Sequence, residues 1–374
     1  MTKYRLDQIG KVIGGGTPST RKKQYYANKG IAWITPKDLS GYSKMYISHG
    51  ARDISQEGLD NSSAKLLPKD TVLVSSRAPI GYVALAANKI TTNQGFKSIV
   101  PNTDIVLPKY LYYLMLTKKD ELENVSSGST FKEVSGRVMK GFEVDIPSLD
   151  KQANIIQKIE PITRKIELNY QINANLFKLA KIHFDRQLDS ENIKFSQIST
   201  IQNGYAFKSK EYVDTNELMI LRTKNINDNH LFSKNDVVYI SKELFDEYKK
   251  FSFSAFDTVL VMVGASIGKT GFVTSNMTPS LQNQNMWRFR PKMSNIPGLL
   301  IFQYVNYINK HVIGSATGSA RSFYRKKLFS EFEVPRINST NYIYFDTLQR
   351  EIDHLNTENE ILYRIKHSLL NHYF

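Results

Sequence analysis

The segment that most resembles a chemical device is VGASIGKT at 263–270. It follows an apolar run and ends in Gly268-Lys269-Thr270, the ending of a loop that wraps a nucleotide phosphate. Such a loop needs four residues between its glycines to close around the phosphate. Gly264 and Gly268 have three. The matching segment earlier in the chain, Arg77-Ala78-Pro79-Ile80-Gly81-Tyr82, has neither the lysine nor the threonine, and a β-turn entering a hairpin accounts for both. Gly14-Gly15-Gly16 lacks the strand–glycine–helix order of a dinucleotide site and reads as a flexible turn. The seven histidines show no metal-ligand spacing. Cysteine is absent, which excludes disulfides and thiolate sites. No Asn-Pro-Pro-aromatic segment of the amino-methyltransferase kind occurs, and no pair of ATPase motifs. The expectation is a chain with no catalytic residue, no metal and no cofactor of its own.

What remains is charge. Fifty lysines and arginines against 35 acids leave +15, spread along the whole chain. Phosphate backbones attract such a surface in a salt-dependent way. A base-reading loop needs phosphate anchors beside amide, guanidinium or hydroxyl groups that reach base edges. The clusters that offer both are Ser19, Thr20, Arg21, Lys22 and Lys23, then Lys37, then Ser75, Ser76 and Arg77 in the first half. In the second half they are Lys208, Lys210, Arg222, Lys224, Asn225 and Lys269. Asn93-Gln94 and Asn283-Gln284 occur in both halves and read as structural, bonding their own backbones.

The elements that must position these residues are written twice, with a period near 187–190 residues. Asp70-Thr71-Val72-Leu73-Val74 recurs as Asp257-Thr258-Val259-Leu260-Val261. Ala78-x-Ile80-Gly81 recurs as Ala265-x-Ile267-Gly268, Asn93-Gln94 as Asn283-Gln284, and Gly128-Ser129 as Gly318-Ser319. Phe142-Glu143-Val144 and Phe332-Glu333-Val334 close the two copies. Each copy opens with short β-branched runs between turn residues, which read as strands. Pro108 and Pro297 each open a segment of helical length.

Each copy then gives way to a stretch almost free of glycine and proline with apolar residues at a 3–4 spacing. The first stripe is Ile155, Ile159, Ile162, Ile166, Asn169, Asn173, Leu176, Ala180, His183; the second is Leu348, Ile352, Leu355, Asn359, Leu362, Lys366, Leu369. That period predicts long helices pairing through a seam, in which single polar residues such as Asn173 and Asn359 set register. Pro161 is expected to start or kink the first helix, dividing it in two. The predicted fold is α+β: two repeated mixed α/β domains at 1–147 and 191–335, and two long antiparallel coiled-coil-like helices at 148–190 and 336–374. An antiparallel pair would give a pseudo-twofold, basic dumbbell, matched to a DNA site of two half-sites with a gap. No apolar run approaches the roughly 20 residues of a membrane span. The first residues show no signal-peptide core, so the expected location is the cytoplasm.

The halves resemble the target recognition domains of type I restriction–modification specificity subunits. YRLDQIGKVIGGGTPST with IAWITPKDLS is similar to the opening of a first such domain, and ISTIQNGYAFKSKEY to the opening of a second. TTNQGFKSI is similar to a block late in these domains. GSTFKEVSGRVMKGFEVDIP running into DKQANIIQKIEPI is similar to the junction with a spacer helix. The second copy departs after Pro335, where RINSTNYIYFDTL has no match to Lys151-Gln152 and the last helix is shorter. The resemblance implies a non-catalytic subunit whose domains each read half of an asymmetric two-part site in double-stranded DNA. It implies that the helices, through residues such as Ile155, Ile159, Ile166, Asn173, Leu176, Ile352, Leu355, Asn359 and Leu362, hold two methyltransferase subunits, which use S-adenosylmethionine. A restriction–translocase subunit can join them. A recognition subunit of a combined methylase–nuclease system and a free-standing DNA-binding regulator are the alternatives.

Overall fold

The computed structural model describes residues 1–77, 79–128, 132–188, 191–214, 217–316 and 324–374. Ala78, Ser129, Gly318 and Ser319 of the matched blocks lie outside the described residues. The chain forms two compact units: Met1–Glu167 with Leu362–Phe374, and Leu168–Ile361.

Unit 1 is built on a five-stranded sheet in the order Gly10–Gly14, Lys97–Pro101, Val72–Ser76, Ile80–Ala86, Tyr46–Ile47. A smaller sheet orders Tyr26–Ala27, Arg52–Ile54, Ile31–Ile34, Thr91–Thr92. The strand Val72–Ser76 is buried on both faces, and its side chains alternate between two cores. Val72 and Val74 meet the helix Pro108–Thr117 through Tyr110, Leu111 and Tyr113, while Leu73 packs with Ile34, Ala84 and Phe96. Thr2–Arg5 pairs antiparallel with Glu143–Ile146, tying the start of the repeat to its end.

Unit 2 repeats the plan. One four-stranded sheet orders Ser199–Asn203, Met286–Pro291, Thr258–Val261, Thr270–Phe272, and another orders Tyr212–Val213, Val238–Ile240, Leu218–Leu221, Ser280–Gln282. Asn192–Lys194 pairs with Glu333–Pro335 as the closing ribbon. Leu260 meets the helix Gly298–Ala316, and Val259 and Val261 face the opposite core.

That assignment corrects the alignment of the repeat. Val72 pairs with Ile99, and its counterpart facing Phe289 is Thr258, not Val259. The positive φ of Asp70 (64°) falls at Phe256 (69°) in the second copy. The identical pentapeptide therefore sits one residue out of register, and each of its side chains turns to the opposite face. The hairpin expected after it is present in both copies, Val72–Ser76 with Ile80–Ala86 and Thr258–Val261 with Thr270–Phe272.

The triple glycine is not a flexible turn. The Gly16 amide donates to the Thr92 carbonyl at 2.9 Å, and a Cβ on Gly15 would lie 1.9 Å from the Asn93 carbonyl oxygen. Gly204 passes Asn283 with the same 1.9 Å. The requirement is close backbone approach.

The first long helix, Leu149–Arg186, is one element of 38 residues with Pro161 inside it. Pro161 is exposed, and so is Gln157, whose carbonyl it leaves unpaired. Water can take that carbonyl, so the helix does not divide there. The second, Tyr342–Tyr373, has 32 residues. Ile155, Ile159, Ile166, Asn173, Ile352, Leu355 and Asn359 are buried as the spacing requires. Leu176 and Leu362 are half-buried, and Thr163, Phe177 and Phe184 fill the seam where Ile162, Leu176 and His183 were expected. In unit 1, Leu370 joins Ile155 and Ile159 in the core. In unit 2 the helices run antiparallel: Asn169 donates to the Asn359 amide oxygen at 2.9 Å, and His183 stacks on Tyr344 with centroids 3.8 Å apart.

Candidate nucleic-acid interface

In unit 1 the run Ser19–Lys23 is exposed. Its approach is pinned by the Trp33 indole N–H donating to the Gly16 carbonyl at 3.0 Å and the Tyr26 hydroxyl donating to the Pro18 carbonyl at 2.8 Å. Lys22 Nζ donates to the Tyr25 hydroxyl at 2.9 Å, and that bond holds the ammonium above the usual lysine range. Lys37 is exposed on the turn Pro36–Leu39, which Asp38 caps by accepting from the Thr35 amide at 2.7 Å.

Ser75 and Ser76 do not belong to such a surface. Both are fully buried, and their hydroxyls donate to the carbonyls of Pro79 (2.7 Å) and Gly95 (3.2 Å). Arg77 is half-exposed and meets Glu133 at 3.4 Å.

In unit 2, Lys208 and Lys210 are exposed. Lys224 occupies the place of Lys37 on an equivalent turn, Thr223–Asn225, and lies 3.7 Å from Asp236. Asn225 is buried and is the cap: it accepts from the Arg222 amide at 2.9 Å and donates to the Asn235 carbonyl at 2.9 Å. It is structural, as Asp38 is in unit 1. Arg222 is half-buried and its guanidinium donates to the Asp236 carbonyl. Lys269 is 3.4 Å from Asp228, and Gly264 and Gly268 take the positive φ angles (94° and 85°) of a turn between strands. Asn93 accepts from the Gly95 amide at 2.9 Å, the local structural bond expected of it. Neither unit gathers a metal-binding cluster among the described residues.

The geometry thus yields two similar scaffolds, each with exposed cations on loops at matching places. The sequence profile of the type I restriction modification DNA specificity domain matches this chain twice, over residues 1–177 and 187–364. The chain belongs to that specificity family. Among curated relatives, the MjaIX specificity subunit of Methanocaldococcus jannaschii is 37% identical over 248 residues, 59% of this chain and 57% of the relative. The EcoR124I/EcoR124II specificity subunit of Escherichia coli is 27% identical over 170 residues, 43% of this chain and 41% of the relative. The matched region thus spans about half the length of these curated relatives. The crystal structure of the type I restriction–modification S subunit from M. genitalium aligns with a TM-score of 0.50 at 15% identity, covering 99% of this chain and 94% of that one. That likeness is one of fold.

Two features of this family member escaped the sequence. Arg137 and Lys140 stand exposed on the short helix Gly136–Gly141, beside Lys97 and Arg5. Their signal was the pair of cations Arg137 and Lys140 inside the junction block GSTFKEVSGRVMKGFEVDIP itself. The other is a second apolar stripe on the first long helix: Leu168, Ile172, Leu179 and Ile182 are exposed. Their spacing of four, seven and three puts them on one face, away from the buried seam. No helix among the described residues is long and apolar enough to cross a membrane.

Proposed function

We propose that this chain is the DNA-reading specificity subunit of a type I restriction–modification complex. Residues 1–147 and 191–335 are its two target recognition domains, each reading one half of a bipartite duplex site. Residues 148–190 and 336–374 are spacer helices that hold two methyltransferase subunits, and a restriction–translocase subunit can join the assembly. The chain works in the cytoplasm, holds no cofactor and catalyses nothing. S-adenosylmethionine belongs to the methyltransferase partner. The observation that carries this reading is the double match of the specificity domain, one on each copy of a repeated fold. The stripe Leu168, Ile172, Leu179, Ile182 supports the partner assignment, because apolar side chains left to water on one helix face, even with Asn175 among them, suit an interaction surface.

The test is modular exchange. Replacing residues 1–147 by the corresponding domain of another family member should change one methylated half-site and leave the other, as read by methylome sequencing. A change in both half-sites would contradict separate reading heads. Ile172→Glu with Leu179→Glu should abolish co-purification of the methyltransferase subunits while the chain stays folded.

A further inference from the structure

We propose that unit 1 holds backbone phosphates of duplex DNA in a cleft whose counterpart in unit 2 carries a glutamate and a buried tryptophan instead. This rests on the DNA-reading function above and adds a site to it. The cleft lies between the strand Gly10–Gly14 and the helix Gly136–Gly141. Four cations line it, Arg5, Lys97, Arg137 and Lys140, against one carboxylate, Asp7. Asp7 is taken by Arg5 at 3.0 Å, and Lys97 is held by Glu133 at 3.1 Å, which also meets Arg77. Arg137 and Lys140 have no ion pair among the described residues. The walls are kept low by glycine: among the described residues an added Cβ at Gly141 would meet nothing within 4 Å, and at Gly14 or Gly136 only the Lys97 side chain at 3.9 Å. A space open to solvent, floored by glycine and faced by two uncompensated cations, suits a polyanion that enters from outside.

Unit 2 supplies the contrast at positions that pairing register identifies. Arg5 faces Glu143 as Lys194 faces Glu333, and Lys97 faces Gly14 as Trp287 faces Asn203. Counting back from the shared Phe-Glu-Val block, Gly141 becomes Glu331, Lys140 becomes Ser330, Arg137 becomes Lys327 and Gly136 becomes Lys326. Glu331 fills the glycine gap with a carboxylate that accepts from Lys194 at 2.9 Å. Trp287 is buried in the place of Lys97. Three cations (Lys194, Lys326, Lys327) and one carboxylate (Glu331), which Lys194 engages, replace four cations and one carboxylate. Because phosphate contacts position a protein without reading sequence, unit 1 anchors the duplex here and unit 2 does not.

The experiment measures binding of the full chain to a random-sequence 40-base-pair duplex between 50 and 200 mM salt. Arg137→Ala with Lys140→Ala should lower the slope of log affinity against log salt by about two, each phosphate contact being worth about 0.9. Gly141→Glu, which imports the carboxylate of unit 2, should lower it by about one, and Glu331→Gly should raise it by about one. All four changes lie on exposed positions, and circular dichroism melting checks that each variant is folded. Wild-type slopes in both unit 1 variants, with the duplex still bound, would overturn the cleft and leave the DNA-reading function standing. A wild-type chain that binds no duplex even at 50 mM salt would overturn both. Pyrophosphate binding that the double variant loses while its duplex slope is unchanged would assign the cleft to a free phosphate and overturn the proposal.

Discussion

The two units solve one packing problem with the same five residues placed differently. In unit 1 the strand Val72–Ser76 points Val72 and Val74 at its helix; in unit 2 Leu260 does this, and Thr258 occupies the place of Val72. Unit 1 has Thr71 where unit 2 has Asp257, buried against Arg290 at 2.6 Å and near Arg288 at 3.9 Å. Both solutions bury a central strand on two faces. A strand flanked by apolar layers on each side tolerates either face of an apolar run, so identity of residues does not imply identity of environment.

The buried ion cluster is where this contrast breaks hardest. Asp257→Ala removes the buried carboxylate, but Arg290 stays part-exposed and both guanidinium groups keep the Ser252 carbonyl, so the loss should fall below the roughly 3–5 kcal/mol of a fully buried pair. Denaturant unfolding should show that loss, whereas Thr71→Ala at the equivalent place in unit 1 should cost about 1 kcal/mol, the worth of its hydrogen bond to the Pro68 carbonyl.

Gly15→Ala and Gly204→Ala test what the units share. Each Cβ would stand 1.9 Å from a carbonyl oxygen, so each should destabilise by at least the ~1–3 kcal/mol typical of overpacking. Near-equal losses in thermal melting are expected. A tolerant Gly204→Ala would mean that the second close approach is not built like the first.

The threonine of the pentapeptide sharpens the register difference to a sign. Thr71 bonds the Pro68 carbonyl at 2.7 Å, while the buried Thr258 hydroxyl has no hydrogen-bond partner among the described residues. Thr71→Val should destabilise by about 1 kcal/mol and Thr258→Val should stabilise by about as much. The same change in the same pentapeptide should thus shift the unfolding midpoint in opposite directions.

A further contrast is a pH dependence on the helix ends. By helical register Lys366 in unit 1 matches Ala180 in unit 2, which is buried. Burial pushes the Lys366 ammonium down to about 8 despite the nearby Glu167, with Tyr113 beneath it. Between about 8 and the ordinary 10.5 the unfolded chain binds a proton that the folded chain has released, so unit 1 gains stability as pH rises through that window. Lys366→Met keeps the stem and removes the charge. It should stabilise at pH 7, and the gain should shrink toward pH 10 in urea titrations.

The sequence by itself determined the repeat, the α+β composition, the hairpins and the two long helices. Each of these rests on local spacing: identical blocks at a near-constant distance, β-branched runs between turn residues, and a 3–4 apolar period. Most of the helix seam was legible for the same reason. The exposed cations at Ser19–Lys23, Lys37, Lys208, Lys210 and Lys224 were legible because charge seeks water wherever the chain goes.

What only the tertiary structure decided depends on partners distant in the chain. A serine or asparagine carries no mark of whether it faces solvent or caps a neighbour, so Ser75, Ser76 and Asn225 became structural only once Pro79, Gly95 and Asn235 were beside them. The pentapeptide's register followed from which residue faced Ile99 or Phe289 across the sheet, about 25–30 residues on. The cleft at Arg137 and Lys140 exists because sheet pairing brings Arg5, Lys97 and the closing helix together, and because one unit has glycine where the other has glutamate. Periodicity reports which residues share a face; only packing reports what that face meets.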